Sequence, residues 1–339
     1  MFRLGIDASG GDNGEIEVCK AVAKVAASDD TITFYVFGDK DIISESFDKL
    51  NFTISDKIII IDAKERISMN DHPVFALRNK TDSSIVKAGK SLLNNEIDAF
   101  ISAGNTGALV ALAQFYLKPI NGIDRPVVAA IIPTDKSSML LIDSGCNVDS
   151  KPEWLYQYAL ISNEYYKLMF KCENPSIGLL SVGTEENKGN MLTLEAYKLI
   201  SSNDKLNFIG NVEARNLVDG ICDIVVTDGF AGNVFLKTYE GTAKLLLRII
   251  KEQIMSSFIT KIGGLLIKPA LKKILTKYDA KIYGGAPILG TNYLVLKCHG
   301  NSTSDEYVYA IKQANNLNMK GIINVIKNNI GDKYEFAKN

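Results

Sequence analysis

The sequence is poor in cysteine and histidine, two residue types that often build metal centres and redox sites. Its five cysteines are an odd number and form no CxxC pair, a pattern typical of reduced thiols in a cytosol. Only two histidines, His72 and His299, occur, and the HExxH motif is missing, so zinc-dependent hydrolysis is not expected. A Ser/His/Asp hydrolase stays open, although the GxSxG motif of many such enzymes is missing too.

Long hydrophobic runs and an excess of one charge are also absent. No run of about eighteen uncharged apolar residues occurs, so no transmembrane helix is predicted, and the first residues read as a strand rather than a signal peptide. Lys and Arg number 38 against 39 acidic residues, a formal net charge of -1, which gives no reason to expect nucleic acid as a partner. We expect a cytoplasmic protein that reaches a membrane, if at all, from outside.

The sequence does contain a regular alternation of short apolar runs with longer stretches of helical period. Its 339 residues are 46% hydrophobic, which is enough for a large core. The apolar runs predict buried strands near residues 3–7, 32–37, 57–61, 97–102, 127–132, 139–143, 176–182, 222–227 and 293–298. The pattern predicts one α/β domain over residues 1–333, with a largely parallel sheet covered by helices.

Glycine, asparagine and small polar residues follow six of these predicted strands. The loops read DASGGDNG from Asp7, SAGNTG from Ser102, DSGCN from Asp143, GTEENKGN from Gly183, DGFAGN from Asp228 and HGNS from His299. Glycine lets backbone N–H groups approach an anion, and a helix N-terminus adds a favourable dipole. Any single loop could be an ordinary turn. Because parallel strands end at one crevice, however, we expect the six loops to meet and bind an anion there.

The standard nucleotide fingerprints are missing, so other residues must bind the anion. Neither a Walker-type loop nor GxGxxG after a strand occurs. Asp7, Asp143 and Asp228 could hold Mg²⁺, but acids at strand ends more often cap helices, and we expect neither a metal nor a cofactor. Arg78 and Lys80 precede a predicted helix N-terminus and form either an anion clamp or an exposed turn.

At these loops the sequence resembles the phosphate acyltransferase family of bacterial phospholipid synthesis. The matching segments are IDASGGDNG, ISMNDHPVFALRNKTDSSI, DAFISAGNTGALV, LIDSGCNVD, LLSVGTEENKGN, FIGNVEARNL, DIVVTDGFAGNVFLKTYEG and YGGAPILG with CHGNS. The resemblance implies a three-layer α/β/α fold, similar to isocitrate and isopropylmalate dehydrogenases, and a homodimer. It also implies transfer of a fatty acyl group from acyl carrier protein to inorganic phosphate, with the acyl phosphate passing to a glycerol-3-phosphate acyltransferase.

The loops and the resemblance together define a hypothetical site. We expect Lys188, His299 and Asn233 to be catalytic, although a lone histidine such as His299 is equally often structural. The expected phosphate and substrate contacts are Asp7, Gly10, Gly11, Asn13, Arg78, Lys80, Ser102, Gly104, Asn105, Thr106, Asn147, Asn190, Asp228 and Gly229. Two alternatives remain: a phosphotransacetylase-like enzyme that uses acyl-CoA, and a non-catalytic membrane scaffold.

The segment from Lys244 to Lys277 predicts a helical hairpin at a dimer or membrane contact. Apolar residues recur at spacings of three or four, and we expect the hairpin to turn at Gly263–Gly264. Eight basic residues accompany a single acid, Glu252, which favours an anionic membrane surface. The expected membrane contacts are Phe258, Ile262, Leu265 and Leu266. The alternative is an ordinary core or dimer contact.

Overall fold

The computed structural model of the chain describes residues 1–278 and 283–330, so the predicted domain end at residue 333 lies outside the described residues. The strands in this part are β1 Phe2–Asp7, β2 Ile32–Gly38, β3 Ile58–Asp62, β4 Ala99–Ser102, β5 Val127–Pro133, β6 Ser138–Ile142, β7 Ser176–Ser181, β8 Asn207–Glu213, β9 Ile224–Val226, β10 Ala286–Leu289 and β11 Leu294–Lys297. The α-helices are α1 Glu15–Ala26, α2 Lys40–Lys49, α3 Pro73–Asn79, α4 Ser84–Leu93, α5 Thr106–Ala111, α6 Pro152–Phe170, α7 Met191–Ser201, α8 Gly229–Met255, α9 Phe258–Lys277, α10 Ser304–Met319 and α11 Ile322–Ile330. A π-helical turn over Leu112–Leu117 extends α5, and a 3₁₀ helix covers Ala214–Asp219.

All nine predicted strands are confirmed, but β8 and β10 were not predicted. Strand β8 lies at the end of the sheet and is interrupted by a glycine, so its sequence NFIGNVE lacks a clean apolar pattern. Strand β10 has only four residues, one of them proline. Both strands gain their structure from neighbours in the sheet rather than from local propensity.

The strands form one sheet in the order β3-β2-β1-β4-β11-β10-β5-β6-β9-β7-β8. Most neighbours are parallel, but β10 is antiparallel to both β11 and β5, and β5 is antiparallel to β6. As a result β6, β7, β8 and β9 run opposite to β1, β4 and β11. We call the side where β1, β4 and β11 end the first rim, and the side where β6, β7 and β9 end the second rim.

Helices cover both faces of this sheet, which confirms the three-layer α/β/α fold. One face packs against α1, α2, α6, α7, α10 and α11 in the largest apolar cluster. On the other face, α3, α4 and α5 cover the strands from β2 to β5. The first turns of α8 cover the strands from β5 to β8. The second face is therefore covered by two separate groups of helices.

Helices α8 and α9 form a hairpin, but the predicted turn at Gly263–Gly264 is wrong. The turn lies at Ser256–Ser257, where Ser257 and Thr260 form a reciprocal capping box that starts α9. Both glycines lie inside α9, and a Cβ at Gly264 would be 2.3 Å from a methyl group of Ile254. Gly264 thus allows close helix approach instead of ending the helix. Tyr278 returns to the sheet, with its hydroxyl 3.4 Å from Asp135.

Within residues 1–278 and 283–330, none of the helices is both long enough and apolar enough to cross a bilayer.

Candidate functional site

Three of the glycine-rich loops meet at the first rim. The Asp12 N–H donates to the Gly300 carbonyl at 2.6 Å, and the Asn13 amide donates to the Asn301 carbonyl at 2.8 Å. A Cβ at Gly10 would lie 2.7 Å from the backbone nitrogen of Gly104. Only glycine permits that approach, so the loops after β1, β4 and β11 form one compact surface.

Asp7 lies beneath this surface and holds two of the loops together. Its carboxylate accepts a hydrogen bond from the Ser102 hydroxyl at 2.6 Å and another from the Ser9 N–H at 3.1 Å. Burial raises the pKa of Asp7, and the hydrogen bond from Ser102 opposes that shift. Asp7 and Ser102 therefore bond to each other rather than facing a ligand.

Asn105 and Asn13 also use their side chains within the scaffold. The Asn105 amide nitrogen donates to the carbonyls of Ser68 and Met69, while its oxygen accepts from the Ala108 N–H and caps α5. The Gly104 N–H donates to the Ser102 hydroxyl at 2.9 Å, so the donors left at this rim are the N–H groups in the first turn of α5, where Thr106 is only partly buried. These are the donors that an anion would meet.

The predicted clamp of Arg78 and Lys80 does not lie at a helix N-terminus. Arg78 belongs to α3 and is exposed. Lys80 pairs with Asp71 at 2.5 Å and donates to the Arg66 carbonyl at 2.8 Å. Arg66, which the sequence analysis missed, donates instead to the Gly11 carbonyl at 2.8 Å. It is the arginine that contacts the first rim.

At the second rim, Asp143 organises the loop after β6. Its carboxylate accepts from the backbone N–H groups of Gly145, Cys146 and Asn147, and from the Asn147 amide. Burial raises the pKa of Asp143, and these four donors oppose that shift. Asn147 is thus another scaffold residue.

Helix α8 begins beside this loop. The Gly229 N–H donates to the Asn147 carbonyl at 2.9 Å, and the Asp228 carboxylate caps the helix through the Ala231 N–H at 2.8 Å. A Cβ built at Gly145 would lie 3.1 Å from the Asn233 side chain, which is itself exposed.

The loop after β7 also lies at the second rim, because β7 is parallel to β9. Lys188 is exposed there, and its backbone N–H donates to the Glu185 carbonyl at 3.0 Å. Asn190 accepts from the Thr193 N–H and caps α7. Both predicted residues in this loop are exposed, but the Asn190 side-chain oxygen is already used in the helix cap.

The prediction that all six loops converge is wrong, because β6 is antiparallel to β5, which runs in the same direction as β1, β4 and β11. Strands β6, β9, β7 and β8 therefore end at the opposite side of the sheet. The two rims are separated by the length of a strand, about 3.3 Å per residue. One small anion therefore cannot touch Ser102 and Lys188 of the same chain. The loops form two groups of three.

Helix α8 connects the two rims along one of its faces. Asn233, Lys237 and Glu240 recur at helical spacing, so they share that face. At the far end, His299 Nε2 lies 3.8 Å from the Glu240 carboxylate, which also pairs with Lys237 at 2.9 Å. A polar stripe thus runs from Asn233 at the second rim to His299 at the first.

The helical layer covers the sheet incompletely alongside this stripe. Ala130 and Ala286 are only partly buried on the face that carries α5 and α8, and Lys297 projects from β11 on the same face. We call the space between α5 and α8 the cleft, with these three residues as its floor. Loss of solvation lowers the pKa of His299 at its edge, and Glu240 opposes that shift.

Cysteine chemistry is not favoured beside the cleft. The Cys298 side chain lies on the opposite face of the sheet from Lys297, in the largest apolar cluster. Burial raises the pKa of its thiol to about 12, so the thiol is protonated at neutral pH and is a poor nucleophile. Among the described residues there is no group of three or more His, Cys, Asp or Glu side chains that could hold a metal ion.

Fold and cleft together define a class: a three-layer α/β protein with Lys237, His299 and Lys297 around its cleft. Solved structures with the same fold include a phosphotransacetylase from Staphylococcus aureus, with a TM-score of 0.59 and 18% identity over 96% of this chain and 94% of that one. A putative 4-hydroxythreonine-4-phosphate dehydrogenase from Salmonella typhimurium has a TM-score of 0.52, with 14% identity over 94% of this chain and 100% of that one. At such identities the likeness concerns the fold alone.

Sequence relatives define the family. The model of the family described as fatty acid synthesis protein matches residues 2–325. The chain is 44% identical to the phosphate acyltransferase of Clostridium botulinum (strain Alaska E43 / Type E3), over 96% of this chain and 98% of that protein. It is also 44% identical to the phosphate acyltransferase of Bacillus pumilus (strain SAFR-032), over 96% of each. The chain belongs to the phosphate acyltransferase family.

Proposed function

We propose that the protein transfers a fatty acyl group from the thioester of acyl carrier protein to inorganic phosphate. A phosphate oxygen attacks the thioester carbonyl, the carbon–sulfur bond breaks, and acyl phosphate and the free carrier thiol are formed. The observation that supports this most directly is the cleft between α5 and α8, which offers N–H donors and cations on a scaffold of buried carboxylates. The substrate phosphate is already largely anionic at neutral pH, so it needs positioning more than activation.

Within this proposal, phosphate lies at the first rim and the thioester lies along the stripe on α8. The N–H groups at the start of α5, including that of Thr106, bind phosphate, and the weakly basic His299 accepts its proton and passes it to the departing thiolate. Asn233, at the second-rim end of the stripe, binds the acyl donor away from the reacting carbonyl. Lys188 is proposed as the cation at the second-rim end of the substrate.

The reaction is tested with long-chain acyl carrier protein and phosphate, with mass detection of acyl phosphate. Phosphate-dependent loss of the thioester would eliminate a non-catalytic scaffold. Parallel reactions with acyl-CoA of short and long chains separate the phosphotransacetylase-like alternative: preference for a short acyl-CoA over the carrier-bound long chain would contradict the proposal.

Lys188→Ala and Asn233→Ala test the second-rim assignments. Lys90→Ala is the matched control, because Lys90 is an exposed residue of α4. Loss of one charge-assisted contact should cost roughly 1.5–3 kcal/mol, or about ten- to a hundredfold in kcat/KM. His299→Ala should lower kcat with phosphate affinity retained. Wild-type kinetics in well-folded Lys188→Ala would remove that residue from the site.

The α8–α9 hairpin is proposed as the contact with an anionic membrane surface. Phe258 and Ile259, next to the observed turn, are 78% and 81% exposed, and Leu266 further along α9 is 78% exposed. Apolar side chains on a basic helix favour such a surface. Product released there would reach a membrane-bound glycerol-3-phosphate acyltransferase before it hydrolyses.

We also propose a homodimer through the base of the hairpin. Leu245, Leu246, Ile249 and Ile250 of α8 are each more than 40% exposed, which is a large apolar area for a single chain. Pairing of these residues between two copies leaves the turn free to meet lipid.

A further inference from the structure

Lys297 is a partly buried lysine at the floor of the cleft. It ends β11 and lies on the same side of that strand as buried Val295, because side chains alternate along a strand. Its ammonium donates to the Ala103 carbonyl at 3.2 Å and to the Cys298 carbonyl. The side chain thereby connects β11 to the loop after β4, where the N–H donors of the first rim lie.

The charge of Lys297 has no direct partner. In the part of the chain that the structure describes, no carboxylate lies at ion-pair distance from its ammonium, and both recorded acceptors are neutral carbonyls. Burial lowers the pKa of Lys297, with the more distant Asp7 acting in the opposite direction. A buried cation without a counter-charge is costly. Two of its three N–H groups are used, so one remains for a ligand.

The surroundings of Lys297 favour an anion. Lys237 on α8 acts electrostatically on both Lys297 and His299. The nearby Glu240 is already shared between Lys237 and His299, so it does not neutralise Lys297. Asp7 and Asp12 also act on Lys297 but lie beyond ion-pair distance, so Lys297 remains a cation beside the N–H groups at the start of α5.

We propose that the Lys297 ammonium binds inorganic phosphate at the first rim, through a charge-assisted hydrogen bond from its third N–H to a phosphate oxygen. The identity of the anion rests on the proposed function, whereas the need for an anion rests on the geometry. Bound there, phosphate would lie between the N–H groups after β4 and His299, two residues beyond Lys297. Lys297 thus holds the nucleophile, and Asn233 and Lys188 are left for the acyl donor.

Two substitutions separate the charge of Lys297 from its role as a hydrogen-bond donor. Lys297→Gln keeps a donor for the Ala103 carbonyl but removes the charge, while Lys297→Arg keeps both. The dissociation constant of inorganic phosphate is measured by calorimetry, together with the phosphate-dependent rise in melting temperature. We expect Lys297→Gln to bind phosphate about ten- to a hundredfold more weakly and Lys297→Arg to retain most of the affinity. Lys90→Gln should bind like the wild type.

Wild-type phosphate affinity in Lys297→Gln would overturn the proposal, since a purely structural lysine is replaced by any good donor. If neither variant folds, reductive methylation of the wild type followed by mass spectrometry answers the same question. Phosphate should protect Lys297 but not Lys90, and equal labelling of Lys297 with and without phosphate would overturn the assignment.

Phosphate binding is measured without any acyl donor, so the two proposals fail separately. A wild type that binds phosphate through Lys297 but forms no acyl phosphate would contradict the proposed function and leave this inference standing. If the wild type forms acyl phosphate but Lys297→Gln has an unchanged KM for phosphate, the role of Lys297 is contradicted and the proposed function stands.

Discussion

At the scale of single residues, Asp7 is an acid whose burial is only partly compensated. Its raised pKa means that the folded state holds the proton more tightly than the unfolded state. That contribution to stability is complete below the unfolded pKa and is lost as pH rises through the folded pKa. Relative to Asp7→Asn, the wild type should therefore lose free energy of unfolding as pH rises from about 4, the unfolded-state pKa of an aspartate, through the raised pKa of the folded state. The loss is about 1.4 kcal/mol per unit of pKa shift.

Urea denaturation of both proteins across this range measures the difference. Parallel stability curves for wild type and Asp7→Asn would show that Asp7 titrates alike in the folded and unfolded chains.

Asn105 was predicted to be a ligand contact, but its amide supports the loop instead. Replacing it with aspartate places a carboxylate against the carbonyls of Ser68, Met69 and Asp71. We expect Asn105→Asp to lower the free energy of unfolding by about 3 kcal/mol. The exposed Asn233→Asp is the matched control and should change stability by less than about 0.5 kcal/mol. Equal melting temperatures for the two variants would refute the scaffold role.

The contrast between Asn105 and Asn233 shows which properties of single residues a sequence can predict. The types of residue at the rims were predictable, because glycine, asparagine and aspartate recur after the strands. Which of these side chains support the loops and which face solvent was not predictable, because Asn147 and Asn233 have identical side chains and differ only in the neighbours that contact them. Lys297 had a detectable signal, a lysine at the end of an apolar strand directly before the CHGNS loop.

At the scale of elements, the start of α8 depends on one close approach to the loop after β6. A Cβ at Gly232 would lie 1.9 Å from the backbone carbonyl oxygen of Asp143, whereas one at Gly241 would have no neighbour within 4 Å. We expect Gly232→Ala to lower the free energy of unfolding by about 3 kcal/mol or more. Gly241→Ala should raise it by about 0.5–1 kcal/mol.

Chemical denaturation of the two variants compares the same substitution in the same helix. A small effect at Gly232 would mean that α8 can move away from β6 at little cost.

The hairpin supplies a second test at this scale. Since the turn lies at Ser256–Ser257, changing Phe258 and Ile259 to Asp should abolish sedimentation with anionic vesicles, as burying two charges removes both the apolar and the electrostatic contribution. Met319→Asp on α10 is the control, because Met319 is also exposed, at 72%. Binding by the double variant equal to that of the wild type would refute the membrane role.

The error about the turn shows how local signals compete. Two adjacent glycines predict the end of a helix, yet Gly263 and Gly264 lie inside α9. That helix has already begun at the Ser257 capping box, six residues before Gly263. The packing of Gly264 against Ile254 then fixes the position of the turn. Such a contact exists only once both helices are formed, so it leaves no trace in the pattern of apolar residues.

At the scale of the whole molecule, the alternation of strands and helices predicted the α/β class but not the direction of the strands. Apolar runs look alike in parallel and antiparallel strands when both faces of a sheet are covered. The antiparallel pair β5–β6 separates the two rims, since β5 still runs in the same direction as β11 and β6 does not. Instead of the single crevice expected from parallel strands, the structure has a cleft whose two ends lie at different rims.

Strands β10 and β11 come late in the chain, yet they lie in the middle of the sheet, between β4 and β5. During synthesis, the ribosome releases all the other strands before these two. The nascent chain must wait with two unjoined half-sheets, each with an open edge strand that is prone to wrong pairing. A message cut before the codon for Ala286 would thus produce two separate half-sheets rather than a slightly shorter enzyme.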